Sequence, residues 1–136
     1  MTQEEKDLLL KDLCARLPYG VICHYDVIVP MVGKVKSYDK LRAISEFDNK
    51  PCFQFGCNKD IFDFENIKPY LFPLSSMTEE QRQELESLME VTTVPVWGEI
   101  LSPTPEYYDW LNKNHFDYRS LIEKGLANDA TELDIY

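Results

Sequence analysis

Glycine is scarce in this chain, and none of its glycines builds a phosphate-binding loop. The five lie far apart, at Gly20, Gly33, Gly56, Gly98 and Gly125. Dinucleotide and P-loop motifs place two or three glycines within about eight residues, between a strand and a helix. Histidine is scarcer still, with two in 136 residues, and no acidic triplet stands at metal-ligand spacing. The sequence therefore predicts no cofactor, no metal site and no catalytic residues.

Long apolar runs are missing as well. No stretch approaches the roughly 20 apolar residues that a membrane-spanning helix needs. The acidic start, residues 1–5, lacks the basic region and apolar run of a secretory signal. We therefore expect a cytoplasmic protein with no membrane partner.

Cysteines are few and widely spaced. Four of them would allow three disulfide pairings, but a reducing compartment makes free thiols the expectation for Cys14, Cys23, Cys52 and Cys57. Four residues separate Cys52 from Cys57, a wider gap than the tight cysteine pairs of most zinc sites. Zinc is therefore only a remote alternative here.

The composition is that of a folded domain, and its charge is unevenly distributed. Hydrophobic residues make up 44% of the chain and the net charge is −10. Residues 21–59 hold six Lys or Arg against four acids, a net charge of +2, whereas residues 60–136 carry −11. An acidic second half repels phosphate backbones, so only the middle segment is suited to a polyanion.

Helix signals flank a stretch of strands. Thr2 with Glu5, and Thr78 with Gln81, have the spacing of capping boxes. Thr104 precedes a proline suited to the first turn of a helix. We predict helices over residues 3–16, 79–90, 106–114 and 118–126, the last capped by Asp117.

Between the first two helices the hydrophobic period changes to two. Val21, Cys23 and Tyr25 alternate with Ile22 and His24. Strands are predicted over residues 21–29, 34–38, 41–47 and 51–55, with a fifth strand or a turn within 61–71. Such a β-meander folds as a small antiparallel sheet or a partly open SH3-like barrel, which would bury Val21, Val35, Ile44 and Phe53.

The fold class that follows is α+β: an N-terminal helix, a small antiparallel β-meander and three C-terminal helices. Pro69 and Pro73 are expected to end regular structure. Residues 91–105 are predicted as a connector with one extended piece over 94–100, and order is expected to fade in the tail. A single domain is predicted, divided into residues 1–20, 21–72, 78–127 and a tail over 128–136.

Three blocks of sequence resemble a known group of proteins. They are Leu-Leu-Lys-Asp-Leu-Cys-Ala-Arg-Leu-Pro-Tyr-Gly-Val over 9–21, Lys-Pro-Tyr-Leu-Phe-Pro-Leu-Ser-Ser-Met-Thr-Glu-Glu over 68–80, and His-Phe-Asp-Tyr-Arg-Ser-Leu-Ile-Glu-Lys-Gly-Leu-Ala over 115–127. Together they resemble small proteins of no known activity from gut Bacteroidales genomes and from their phages and mobile elements. The resemblance implies no catalytic residues. It favours an accessory or inhibitor protein that offers an acidic surface to a basic partner.

The leading functional interpretation is a non-enzymatic module that binds another protein. Residues 109–127 gather Trp110, His115, Tyr118 and Arg119 around a predicted break between two helices. Aromatic and arginine side chains are enriched where proteins bind one another. An acidic helix with Glu79, Glu80, Glu84, Glu86 and Glu90 adds a second candidate surface.

Two alternatives stay open. In the first, Lys34, Lys36, Lys40 and Arg42, near Tyr38 and Phe47, bind nucleic acid, although lysines on strands also protect exposed edges. In the second, His115 and Asp117 serve a small hydrolase, with capping of a helix by Asp117 as the simpler explanation.

Overall fold

The structure, a computed structural model, describes residues 1–56, 60–61 and 67–136. Within these residues the chain has a mixed α+β fold with three α-helices, α1 (Gln3–Arg16), α2 (Glu79–Glu86) and α3 (Pro105–Lys113). None of these helices is long and apolar enough to cross a membrane. Cys57, Lys59 and part of the predicted fifth strand lie outside the described residues.

Local capping signals place the helix starts. The Glu5 amide donates to Thr2 Oγ1 at 3.1 Å, and the Gln81 amide donates to Thr78 Oγ1 at 3.2 Å, so both predicted capping boxes are confirmed. The prediction for α1 is confirmed over its full length. Helix α2 is shorter than predicted, because the β-branched residues that follow it form a strand.

Most strands belong to one open sheet. Its members are β1 (Ile22–Val29), β2 (Gly33–Phe47), β3 (Lys50–Phe55), β4 (Asp60–Ile61), β5 (Ile67–Pro73), β8 (Phe116–Asp117) and β9 (Asn128–Asp129). Their order is β4-β3-β2-β1-β5-β8, with β9 also paired to β5. Strands β8 and β9 run parallel to β5, and the other pairs are antiparallel. No pairing among the described residues closes this sheet into a barrel.

Two predicted breaks in the strands are wrong. The predicted turn at Asp39 and Lys40 lies inside β2, a single strand of 15 residues. A β-bulge between Leu41 and Ala43 bends this strand, so its first half pairs with β1 and its second half with β3. Pro69 lies inside β5. It is the last residue of β5 that pairs with β1, and the next residue, Tyr70, pairs with β9. A proline is tolerated where the pairing partner changes in this way.

The core lies between one face of the sheet and α1. Leu9 and Leu13 of α1 pack with a set of buried sheet residues that includes Val21, Cys23, Tyr25, Phe53, Phe55, Ile67 and Leu71. The predicted burial of Val21 and Phe53 is confirmed, and Ile44 packs at the margin of the core. The prediction for Val35 is wrong: it is 37% exposed, because the β1–β2 hairpin extends beyond the strands that flank it.

The C-terminal third differs most from the prediction. Residues 118–127 form turns, so the predicted fourth helix is absent from this described segment. Residues 89–103 form a hairpin of β6 (Met89–Val94) and β7 (Gly98–Pro103), with the turn where the extended piece was predicted. The predicted loss of order in the tail is also wrong, because β9 pairs with β5 and Ala130 is fully buried.

Candidate functional site

The segment 109–127 is part of the scaffold. His115 has φ +63°, a left-handed conformation that turns the chain sharply after α3. Its carbonyl accepts from the Phe72 amide at 2.8 Å, and its ring stacks on Tyr136 with centroids 3.7 Å apart. Trp110 stacks on Phe116 with an interplanar angle of 2°. His115 and Trp110, predicted as partner contacts, are therefore engaged within the fold.

A buried ionic network joins this segment to α1. Asp12 and Arg16, both fully buried, pair at 2.9 Å, and Arg119 reaches the other Asp12 oxygen at 2.8 Å. Arg16 Nη2 also donates to the Phe116 carbonyl at 2.6 Å. The guanidinium of Arg119 lies 4.5 Å from the Tyr118 ring centroid, and that of Arg16 lies 5.4 Å away. Tyr118 and Arg119 are thus only partly exposed, and both are held by α1.

His115 and Asp117 do not form a dyad. Both Asp117 oxygens accept from backbone amides, one from Leu121 and the other from Ile122, each at 2.9 Å. Burial, together with the positive charges of Arg16 and Lys40, lowers the pKa of His115 from 6.5 to about 4. The ring is neutral at physiological pH, and its buried Nδ1 has no hydrogen-bond partner among the described residues. Asp117 therefore holds the turn that follows it, in place of capping the predicted helix, and it forms no acid–base pair with His115.

Tyr136 stacks on the His115 ring and bonds to the backbone of two strands. Its hydroxyl accepts from the Ile22 amide at 2.9 Å and donates to the Tyr70 carbonyl at 2.7 Å. Burial raises the pKa of this hydroxyl, which keeps it protonated. Tyr136 thus bridges β1 and β5 where their ladder ends.

Lysines line the face of the sheet that is turned away from the core. Residues opposite one another in an antiparallel pair share a face, and the register pairs Asp26 with Lys36 and His24 with both Tyr38 and Lys68. We call this surface the lysine face; its residues are His24, Asp26, Lys34, Lys36, Tyr38, Lys40, Lys68 and Tyr70. A cleft of about 640 Å³ opens on it, bordered by His24, Asp26, Lys36, Lys68, Tyr70, Asn128, Asp129 and Leu133.

Three of the four predicted nucleic-acid contacts lie on this face. They are Lys34, Lys36 and Lys40, although the Lys40 side chain also lies against Gly20. Arg42 is separate: it lies at the β-bulge, beside Asp39 and Gly56. Lys68 and Tyr70 join the face only through pairing of β5 with β1. The sequence left a strand or a turn open within residues 61–71, and the two prolines of β5 obscured the pairing of this strand with β1.

The hairpin 89–103 is the most exposed apolar element among the described residues. Neither strand pairs with a third one in the described structure, and every side chain along both strands is at least partly exposed. The exposed apolar side chains are Val91 (56%), Val96 (85%), Trp97 (79%), Ile100 (43%) and Leu101 (63%). Thr104 Oγ1 donates to the Leu88 carbonyl and closes the base of the hairpin.

Sequence reasoning missed the hairpin although a signal was present. A β-branched run ends at Val94, and Gly98, four residues later, has φ +81°. A short loop closed by a left-handed glycine is typical of hairpins. Pro95 and Pro103 led to the prediction of an irregular connector, because prolines within a segment argue against a strand.

Metal-ligating side chains are scattered over the described residues. No set of three or more His, Cys, Asp or Glu residues that could hold a metal ion lies within the described part of the chain. Cys14, Cys23 and Cys52 are free thiols, and burial raises the pKa of Cys23.

Comparison with known proteins identifies no relative. No family model, no curated protein and no solved structure matches this chain. The resemblance to proteins of Bacteroidales and their phages therefore stays a prediction.

Proposed function

We propose that this protein is a non-enzymatic interaction module that binds another protein through the hairpin 89–103. The observation that carries the proposal is the exposure of Trp97 (79%) and Leu101 (63%) on a ribbon of two strands. Contiguous apolar patches on a soluble protein mark interaction sites, and tryptophan is enriched among the residues that dominate binding energy.

The form of the hairpin suits docking. A two-stranded ribbon is marginally stable in water, so packing against a partner stabilises it. The register places Val91 opposite Leu101 on one face and Thr92 opposite Ile100 on the other. Val96 and Trp97 lie at the tip, so apolar groups are available on both faces and at the end. A groove that accepts the tip would bury all of them together.

The charge around the hairpin defines the chemistry of the partner. Residues 79–99 contain six acidic side chains and one basic side chain. They include Glu90 and Glu99 on the hairpin and the four glutamates of α2. Complementary charge speeds association and excludes unsuitable partners. The proposed partner is therefore a protein with an apolar pocket and a basic rim, in keeping with an accessory or inhibitor protein.

Affinity capture from a native lysate tests this proposal. The immobilised wild-type protein should retain at least one basic protein in a saturable manner. The double variant Trp97→Ser/Leu101→Ser should lose that protein by at least about tenfold, because truncating a dominant interface residue costs about 2 kcal/mol or more.

The matched control removes apolar surface elsewhere. Met31 and Val32, 107% and 72% exposed, lie in the β1–β2 turn. The variant Met31→Ser/Val32→Ser should retain the partner fully. Equal loss in both variants, or no saturable partner for the wild type, would contradict the proposal.

A further inference from the structure

We infer that the lysine face is a second binding surface and that its ligand is single-stranded nucleic acid. This surface shares no residue with the hairpin and does not depend on the function proposed for it. Four lysines, Lys34, Lys36, Lys40 and Lys68, lie on a face where the acidic members among the described residues are Asp26 and, at the margin, Asp129.

The two acidic groups of the face differ in their neighbours. Asp129, at the margin, accepts from the Thr131 amide at 2.9 Å. Asp26 is paired with a lysine: its Oδ2 lies 3.6 Å from the Lys34 amine, and its Oδ1 lies 3.5 Å from His24 Nε2. That leaves Lys36, Lys40 and Lys68 as amines without an ion pair among the described residues. The face is therefore positive although the whole chain carries −10. A local positive surface on an acidic protein attracts a polyanion only at short range, within about 10 Å at moderate salt.

The spacing of the face fits an extended strand of nucleic acid. Lys36, Tyr38 and Lys40 alternate along β2, and residues two apart on a strand are separated by about 6.8 Å. Neighbouring phosphates of an extended single strand are separated by a similar distance. Lys36 and Lys40 are two such steps apart, so their amines can contact phosphates two positions apart while the Tyr38 ring between them stacks on a base.

The rings of the face are positioned for stacking. Tyr38 is 61% exposed, and its ring lies edge-on to Tyr70 with centroids 6.4 Å apart. Burial raises the pKa of Tyr70, and the neighbouring Tyr38 adds to this effect, so the phenol stays neutral beside a phosphate. A duplex encloses its bases and an acidic peptide offers none, so these rings favour a single strand over both.

Protection of the β2 edge does not account for the whole face. Lysines on β2 are suited to shield the edge next to residues 33–40, which has no partner strand among the described residues. Lys68 lies on β5 opposite His24, so β1 separates it from β2. Shielding of the β2 edge therefore leaves the position of Lys68 on the same face unexplained, whereas a ligand that spans the face accounts for it.

Fluorescence anisotropy with a labelled oligothymidylate at low salt provides the test. The wild type should bind saturably, and affinity should fall steeply as salt is added. Lys36→Glu/Lys68→Glu should weaken binding by about tenfold or more. Tyr38→Ala should also weaken it by about tenfold, whereas Tyr38→Phe should retain it, because the stacking ring contributes most of this contact.

The matched control changes the net charge equally at a distance. Lys11 and Lys124 are exposed and lie outside the lysine face. Measured together with the other variants at about 0.1 M salt, where the Debye length is about 10 Å, Lys11→Glu/Lys124→Glu should bind the oligothymidylate within about twofold of the wild type, because distant exposed charges are then largely screened. Equal weakening by the two double variants would overturn the proposal, because binding would then follow net charge alone.

Three further outcomes would overturn the inference. They are the absence of saturable binding at low salt, tighter binding of a labelled duplex of the same length, and equal binding of labelled polyglutamate. The variant Trp97→Ser/Leu101→Ser should bind the oligothymidylate normally, which separates this surface from the hairpin.

Discussion

At the scale of single residues, the carboxylate of Asp12 connects α1 to the segment that follows α3. It is fully buried between two guanidinium groups, those of Arg16 and Arg119. Removing one partner of a buried ion pair leaves an uncompensated charge, which is more costly than losing the attraction itself. This network gives Arg119 a structural role.

Asp12→Ala should therefore lower the free energy of unfolding by about 3 to 5 kcal/mol, measured by urea denaturation. Arg16, with no solvent exposure, would keep only the Phe116 carbonyl as an acceptor among its described contacts. The control Asp7→Ala, on an exposed position of the same helix, should change stability by no more than about 0.5 kcal/mol. Similar effects of the two substitutions would contradict the structural role of the network.

His115 gives a prediction about pH. Its pKa falls from 6.5 to about 4 on folding, mainly because burial disfavours the charged ring. Between these two values the unfolded chain binds more protons than the folded chain. The stability due to neutral His115 is therefore present above pH 6.5 and is lost as the pH falls toward about 4.

His115→Asn should reduce this pH dependence, because asparagine tolerates the left-handed conformation and does not titrate. Unfolding free energies of both proteins, measured from about pH 7 to about pH 4, should converge as the pH falls. Carboxylates that titrate in the same range are common to both proteins and cancel in the difference. Parallel curves would show that His115 is not the source.

At the scale of secondary-structure elements, the hairpin 89–103 differs in pairing and burial from the strands of the main sheet, which supply most of the core. Its strands have one partner each among the described residues, whereas β1 pairs with both β2 and β5. The side chains in the middle of its strands are exposed. The hydrogen bond from Thr104 Oγ1 to the Leu88 carbonyl holds only the base of the hairpin. Elements with few buried apolar contacts open locally at lower free energy than the core.

Native-state hydrogen exchange should reveal this difference. Amides of β6 and β7 should exchange through local opening, with a lower free energy than amides of β1 and β5. Trp97→Ser should leave global unfolding within about 0.5 kcal/mol of the wild type, because its ring is 79% exposed. Exchange of the hairpin at the global free energy, or a large loss of stability in this variant, would place the hairpin within the cooperative core.

At the scale of the whole molecule, charge is separated between two surfaces. Glutamates cluster on α2 and the hairpin, and the lysines of the lysine face lie on the side of the sheet turned away from the core. The net charge of −10 does not determine which surface binds which partner. The two proposals therefore concern separate surfaces: a basic protein at the hairpin and a single strand at the lysine face.

The sequence by itself determined the elements that depend on local interactions. The capping boxes at Thr2 and Thr78 and the alternation from Val21 to Tyr25 involve residues within four positions of one another. Hydrogen bonds and side-chain periods of that range are visible in a single sequence. The α+β class and the start of each α-helix were predictable for this reason.

The tertiary structure decided what depends on residues far apart in the chain. Arg16 and Phe116 are 100 positions apart, and Ile22 and Tyr136 are 114 apart. Whether β2 bends or breaks, whether residues 118–127 form a helix and whether Lys68 joins the lysine face all depend on such pairing. Burial and strand pairing between distant segments outweigh local propensity, and they leave no periodic pattern in the local sequence from which they could be predicted.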